Sequence, residues 1–136
     1  MVHLSEFAAG AANDLLEAAQ IDAAREFVHL GESVWAGTDE RHVEAELQRL
    51  NGRIAALDND DVQSDSCYRQ ALATAEHQGA KLSSLRAAID FAGVLHQAGR
   101  IREAIAILQP VYDRFTGGWD YSDLQRARAM LDKLSA

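Results

Sequence analysis

The protein has little cysteine, little proline and no long apolar run, and each shortage excludes a class of protein. Cys67 is the only cysteine among 136 residues, so no disulfide can form within the chain, and we expect a reducing, cytoplasmic setting. No run of about 18 apolar residues is present to cross a bilayer, so we expect no membrane association. Pro110 is the only proline, which leaves most of the sequence free of this helix breaker.

Positive charge is also scarce. Thirteen Lys and Arg residues stand against twenty-one Asp and Glu, for a net charge of −8 at pH 7. Such a protein repels phosphate backbones and anionic headgroups, so we expect no general binding to nucleic acid or to membranes. A local basic patch remains compatible with this balance.

What the sequence does have is alanine, leucine and helical periodicity. Hydrophobic residues make up 48% of it, and Ala and unbranched side chains lose little freedom in a helix. We therefore expect an all-α fold, in one domain over 1–136 that needs no cofactor to hold its core.

Apolar residues at three- and four-residue spacing predict seven helices. They lie at about 4–19 and 22–35, then along Val43–Leu57, Val62–Ala75, Leu82–Leu95 and Ile101–Phe115, and finally at about 121–134. Turn-forming residues separate the helices at Gly37, Asp58–Asp61, Gly79, Gly99 and Thr116–Gly118. Pro110 predicts a kink or an early end in the sixth helix.

Small residues recur at a fixed spacing. Ala24, Ser64 and Ala104 stand forty residues apart, and each is followed four positions later by a larger residue: Val28, Tyr68 and Leu108. A period of roughly 20 to 50 residues is typical of stacked helical repeats. We therefore predict a right-handed α-solenoid of three helix pairs, at about 4–37, 38–79 and 80–116, with the helix at about 121–134 as a cap.

The segment Gly99–Ile105 resembles the tetratricopeptide (TPR) repeat, in which a turn glycine precedes a small residue, here Ala104, by five positions. Ala92 and Leu108 also match the small and large positions of that pattern. The resemblance implies stacked helix hairpins. The forty-residue period exceeds the usual TPR length of about 34, so HEAT-like or armadillo-like stacking remains an alternative.

Residues 44–134 are also similar to the C-terminal helical repeats of large bacterial regulators, which join a predicted ATPase to an adenylate-cyclase or DNA-binding domain. The similarity lies in the segments Glu44–Gly52, Cys67–Leu72 and Pro110–Thr116. It implies a bacterial regulatory module. The sequence has no glycine-rich phosphate loop of its own, so neither catalytic activity is implied.

Residues with catalytic or metal-binding potential do not form recognisable sites. No two histidines have the spacing of three or four residues that would place two zinc ligands on one helix face; they are His3, His29, His42, His77 and His96. The aspartates from Asp58 to Asp65 lack the glycine and glutamate of a calcium loop, so we interpret them as a turn and a helix N-cap. Cys67 fits a buried apolar position better than a nucleophile. We predict no enzyme, no metal and no cofactor.

The TPR resemblance implies a binding groove lined by the first helix of each pair. Five polar residues would face it: Glu46, Arg49, Arg53, Arg86 and His96. Because arginine binds carboxylates in a bidentate manner, an acidic peptide or the C-terminus of a protein is the expected ligand. The alternative is that Arg49 and Arg53 pair with Glu46 and other neighbours on a solvated face.

These observations favour a non-catalytic protein–protein interaction module with a regulatory or scaffolding role. The alternative is a small-molecule-sensing domain, whose metabolite would occupy the groove or the space beside Trp119. Apolar residues of the first predicted helix, Phe7, Leu15 and Leu16, point in more than one direction. We therefore expect a homodimer or another docking contact through that helix.

Overall fold

The computed structural model describes residues 20–36, 43–119 and 121–136. The regular elements in these ranges are all helices, which confirms the all-α prediction. The helix predicted at about 4–19 lies outside the described residues. The helices of the described part are α1 (Ile21–Ala36), α2 (Glu44–Leu57), α3 (Asp61–Gln78), α4 (Lys81–Gln97), α5 (Ile101–Asp113) and α6 (Ser122–Leu134).

Pro110 lies inside α5, and the helix continues for three residues beyond it. The backbone then leaves the helix before Phe115, earlier than the apolar period predicts. The amides of Arg114 and Phe115 donate to the carbonyls of Val111 and Tyr112, three residues back, over 3.3 and 3.1 Å. This tightened last turn is a common way for a helix to end. It lies beyond Pro110, whose missing amide affects the turn before it, so the kink or early end predicted at the proline stays a prediction.

Three helices end in the same left-handed turn. Asn59, Gly79 and Gly99 follow α2, α3 and α4 at intervals of twenty residues, with φ of 60°, 67° and 77°. In each turn two backbone amides bond to carbonyls of the last helical turn, as in the Schellman motif; after α4, the bonds are Gly99 N to His96 O and Arg100 N to Leu95 O, at 3.0 and 2.8 Å. Each connection between these helices is therefore short and built alike.

Four of the described helices also start alike. The fourth residue is small and at most 3% exposed in each of them: Ala24, Ser64, Ser84 and Ala104. Each of these residues donates its amide hydrogen to the carbonyl of the residue before the helix, over 2.9–3.1 Å. The same start therefore recurs at spacings of forty and twenty residues in these four helices, whereas the fourth residue of α2 is the larger Leu47. The three-pair solenoid itself stays a prediction.

The described residues fall into two compact units, divided between Thr74 and Ala75 within α3. In the first unit α1 packs against α2, and the core includes Val28, Leu50 and Tyr68. In the second unit α4 packs against both α5 and α6, and α5 packs against α6, around Leu85, Phe91, Leu95 and Leu108. The single domain predicted over 1–136 stays a prediction.

The C-terminal helix α6 has the two faces that its sequence predicts. Its buried residues include Leu124, Ala127, Leu131 and Leu134, whereas Arg126, Arg128 and Lys133 are exposed. A helix with one apolar face covers a core on one side only.

Two apolar residues predicted to lie on buried stripes are exposed instead. Leu57 is 49% exposed and Val62 is 83% exposed. Leu57 is the last residue of α2 and Val62 is the second of α3, so both flank the turn at Asp58–Asp60. The helical period continues to these positions in the sequence, but the packed faces of the two helices stop short of the turn.

Candidate functional site

Two of the five predicted groove residues form an ion pair within α2. Arg49 Nη2 donates to Glu46 Oε2 over 2.8 Å, and the two side chains are 9% and 20% exposed. The pairing of Arg49 with Glu46, considered above as part of the alternative to ligand binding, is therefore present, although Arg49 is buried and not on a solvated face. Arg53 lies one turn further along α2 and is half-buried, so it is more accessible than Arg49.

The other two predicted residues lie on α4, in the second unit. Arg86 donates from Nε to Asp123 Oδ2 over 2.9 Å, which joins α4 to α6. His96 is half-buried in the last turn of α4. Ten residues of helix separate it from Arg86, or about 15 Å at a rise of about 1.5 Å per residue. Within its unit, the structure therefore does not bring Arg86 and His96 together.

Asp123 is the polar centre of the α4–α6 contact, and sequence reasoning did not identify it. It is 6% exposed, and Arg126 Nη1 lies 3.2 Å from its second carboxylate oxygen. Arg126 also approaches Asp90 of α4, with Nη2 3.7 Å from Oδ1. In the sequence, only the three-residue spacing of Asp123 and Arg126 indicates that Asp123 forms an ion pair. The pairing with Arg86 joins residues 37 positions apart and depends on the fold.

The first unit contains an open pocket of about 310 Å³. The ion pair between Arg25 of α1 and Asp58 forms part of its wall. Cys67 lines the pocket but is only 6% exposed, and Gln63 Nε2 lies 3.4 Å from its sulfur. The predicted burial of Cys67 is confirmed. The remaining lining residues are His29, Asn51, Ile54, Ala55 and Asp60.

The second unit contains a smaller pocket of about 130 Å³. Its lining combines an apolar part with charged groups: Ala75, Glu76, Gly79, Ala80, Lys81, Ser84, Val111, Arg114 and Phe115. Arg114 Nη1 pairs with Glu76 Oε1, and the buried Ser84 hydroxyl donates to the same oxygen over 3.4 Å. These two contacts hold the Glu76 carboxylate at the wall of the pocket.

The ring of Trp119 packs beside Tyr112, with the ring centroids 5.7 Å apart, and the residue is 50% exposed. Trp119 is thus partly available to a ligand. The metabolite site predicted beside Trp119 stays a prediction.

The acidic segment Asp58–Asp65 contains the expected cap. The amide of Gln63 donates to Asp60 Oδ1 over 3.1 Å, so Asp60 caps the N-terminus of α3. Among the described residues, no three His, Cys, Asp or Glu side chains are grouped so that they would hold a metal ion. No helix in the described ranges has the length and hydropathy of a membrane span.

Comparisons of the sequence and structure with models of protein families, with curated proteins and with solved structures give no match. The resemblance to TPR repeats therefore rests on the residues that carry it.

Proposed function

We propose that the protein is a non-catalytic interaction module of TPR-like helix units, which binds an acidic segment of a partner protein in a regulatory or scaffolding role. The observation that supports the proposal most is the likeness of α3 and α4: each has a small buried residue in its first turn, Ser64 or Ser84, and a left-handed glycine after its end, Gly79 or Gly99. Stacked helical repeats are built from helix units with similar connections, and such stacks present extended binding surfaces.

Arg53 is the groove residue best placed to test this proposal. Arg49 is buried against Glu46, so a change there would disturb the packing of α2 as well as any ligand. Arg53 is half-buried on the same helix. Its guanidinium carries the charge that an acidic peptide would recognise.

The test compares Arg53→Glu with Arg69→Glu. Arg69 is a matched control because it is an exposed arginine of the same unit, on α3, the second helix of the predicted pair. We expect an array of Asp- and Glu-rich peptides to bind the parent protein and the Arg69→Glu variant. Arg53→Glu should lose at least tenfold in affinity while its circular dichroism is unchanged. Equal binding by the two variants, or equal binding to Lys-rich peptides, would contradict the groove assignment.

The pocket of the first unit favours a second candidate, small-molecule sensing. The pocket is open and has a volume of about 310 Å³, and Arg25, Asn51 and Gln63 offer polar contacts to a small ligand. A ligand that binds only the folded protein raises its melting temperature. We expect a panel of nucleotides, amino acids and sugars to contain such a ligand, with a shift that Asn51→Leu abolishes. No shift across the panel would reject this candidate.

A further inference from the structure

The pocket of the second unit has the size of one small apolar group. Its volume of about 130 Å³ is close to that of an engineered apolar cavity of about 150 Å³ that binds benzene. Ala75, Val111 and Phe115 give part of its lining an apolar character. A single aromatic ring or a branched aliphatic group therefore matches this space.

The charges that line the pocket do not cancel. Lys81 and Arg114 are positive and Glu76 is negative. Glu76 already accepts hydrogen bonds from Arg114 and Ser84, so the guanidinium of Arg114 neutralises its negative charge locally. Lys81 forms no ion pair with any residue that the structure describes. A net positive charge thus stands at an apolar pocket of a protein whose net charge is −8.

The backbone adds to this positive charge. Lys81 is the first residue of α4, whose N-cap Ala80 provides no side-chain hydrogen bond and whose first turn contains no acidic residue. The amide groups at a helix N-terminus carry a partial positive charge. At this end of α4 no side chain of the helix offsets it, so it acts in the same direction as the Lys81 ammonium group.

We propose that this pocket binds a hydrophobic carboxylate: a benzene-sized apolar group that carries one carboxylate. The apolar group packs against Val111 and Phe115, and the carboxylate pairs with Lys81. The proposal does not depend on the function proposed above, because all of the lining residues belong to the second unit and Arg53 to the first.

The test titrates the protein of 136 residues, labelled with ¹⁵N, with three small probes of similar shape and different charge. Phenylacetate should shift the amide signals of Lys81 and Ser84 with a Kd on the order of millimolar, as expected for about ten heavy atoms at drug-like efficiency. Benzyl alcohol, which is neutral, should bind more weakly, and benzylamine should not bind. Equal binding of phenylacetate and benzylamine at this pocket would overturn the proposal.

Three substitutions test the charges individually. Lys81→Gln should weaken phenylacetate binding about fivefold, the range of one partly exposed ion pair. Glu76→Gln should strengthen it, because Arg114 loses its carboxylate partner and its charge then acts on the ligand. Lys133→Gln, an exposed lysine of α6 outside the pocket, should leave it unchanged. Equal effects of Lys81→Gln and Lys133→Gln would show that only the overall charge matters and would reject the site.

Two further probes separate the possible sources of the carboxylate. If the natural ligand is a protein C-terminus, acetyl-Gly-Gly-Phe with a free carboxylate should bind more tightly than acetyl-phenylalanine, and its C-terminal amide should not bind. If the ligand is a free acid, the tripeptide should bind no more tightly than acetyl-phenylalanine. Binding of the amide as tightly as the acid would contradict both versions.

Discussion

The hydroxyl of Ser64 donates a hydrogen bond to the carbonyl oxygen of Gly52 over 3.1 Å, and so joins α3 to α2 at a close approach. One turn later the ring of Tyr68, which is fully buried, lies over the Cα of Gly52. A Cβ at position 52 would stand 3.0 Å from three atoms of that ring. A larger residue at position 52 would therefore need the buried Tyr68 ring to move by a few tenths of an ångström.

Gly52→Ala should destabilise the protein by up to about 2 kcal/mol, because the overlap with the Tyr68 ring costs about 1–3 kcal/mol and alanine regains only roughly 1 kcal/mol in helix propensity. Urea unfolding measures the difference. Gly93→Ala in α4 is the matched control: its Cβ would lie 3.5 Å from Met130 Cε, an ordinary contact. We expect this variant to be neutral or more stable. Equal losses in the two variants would contradict the close approach.

A second prediction concerns the left-handed turn after α4. Gly99→Ala should cost about 1 kcal/mol, because φ of 77° is strained for any residue with a Cβ although nothing lies within 4 Å of that atom. Gly117→Ala is the control in a loop: it has equal space and no positive φ. We expect it to be neutral or slightly stabilising. The melting temperatures of the two variants should differ by several degrees. Similar melting temperatures would contradict the left-handed backbone at Gly99.

A third prediction tests the buried carboxylate between α4 and α6. Asp123→Asn should destabilise the protein by about 1–3 kcal/mol, because it weakens two charge-assisted bonds, to Arg86 and Arg126, in a buried setting. Asp132→Asn, also on α6, removes a pair with Arg128 in which both side chains are about two-thirds exposed. That change should cost about 0.5 kcal/mol or less. If the denaturant midpoints of Asp123→Asn and Asp132→Asn fall by the same amount, the ion pairs of Asp123 between α4 and α6 add no stability beyond that of an exposed pair.

A fourth prediction concerns the N-cap of α3. Asp60→Ala should cost about 0.5–2 kcal/mol, because the amide of Gln63 loses its acceptor. Asp60→Asn should retain most of the stability, since the amide oxygen of asparagine caps a helix equally well. Hydrogen exchange at Gln63 measures the local effect. Unchanged exchange in Asp60→Ala would show that the cap is not formed in solution.

Helix positions in the described residues followed from the sequence because the signals are local. The stripe Leu47–Leu50–Ile54 repeats every turn, and the turn residues Asn59 and Gly99 act through their own backbone angles. The ends of α3 and α4 at Gln78 and Gln97 agree with the breaks predicted beside Gly79 and Gly99. Such features need no knowledge of what the helix packs against.

The candidate site was harder to predict because the use of a charged residue depends on its neighbours in space. Arg49 and Arg53 look alike in the sequence, yet the first is buried and paired with Glu46 and the second is more accessible. Lys81 and Arg114 line one pocket although 33 positions separate them. No period in the sequence links the two residues.

The sequence by itself determined the helical content, the turn positions and the forty-residue recurrence, since these depend on side-chain periodicity and on backbone preferences of single residues. Tertiary structure alone decided that the ring of Tyr68 lies over Gly52 and that Asp123 bonds to Arg86. Packing brings together residues that are distant in the sequence, and burial then determines which of their charges are paired and which face a pocket.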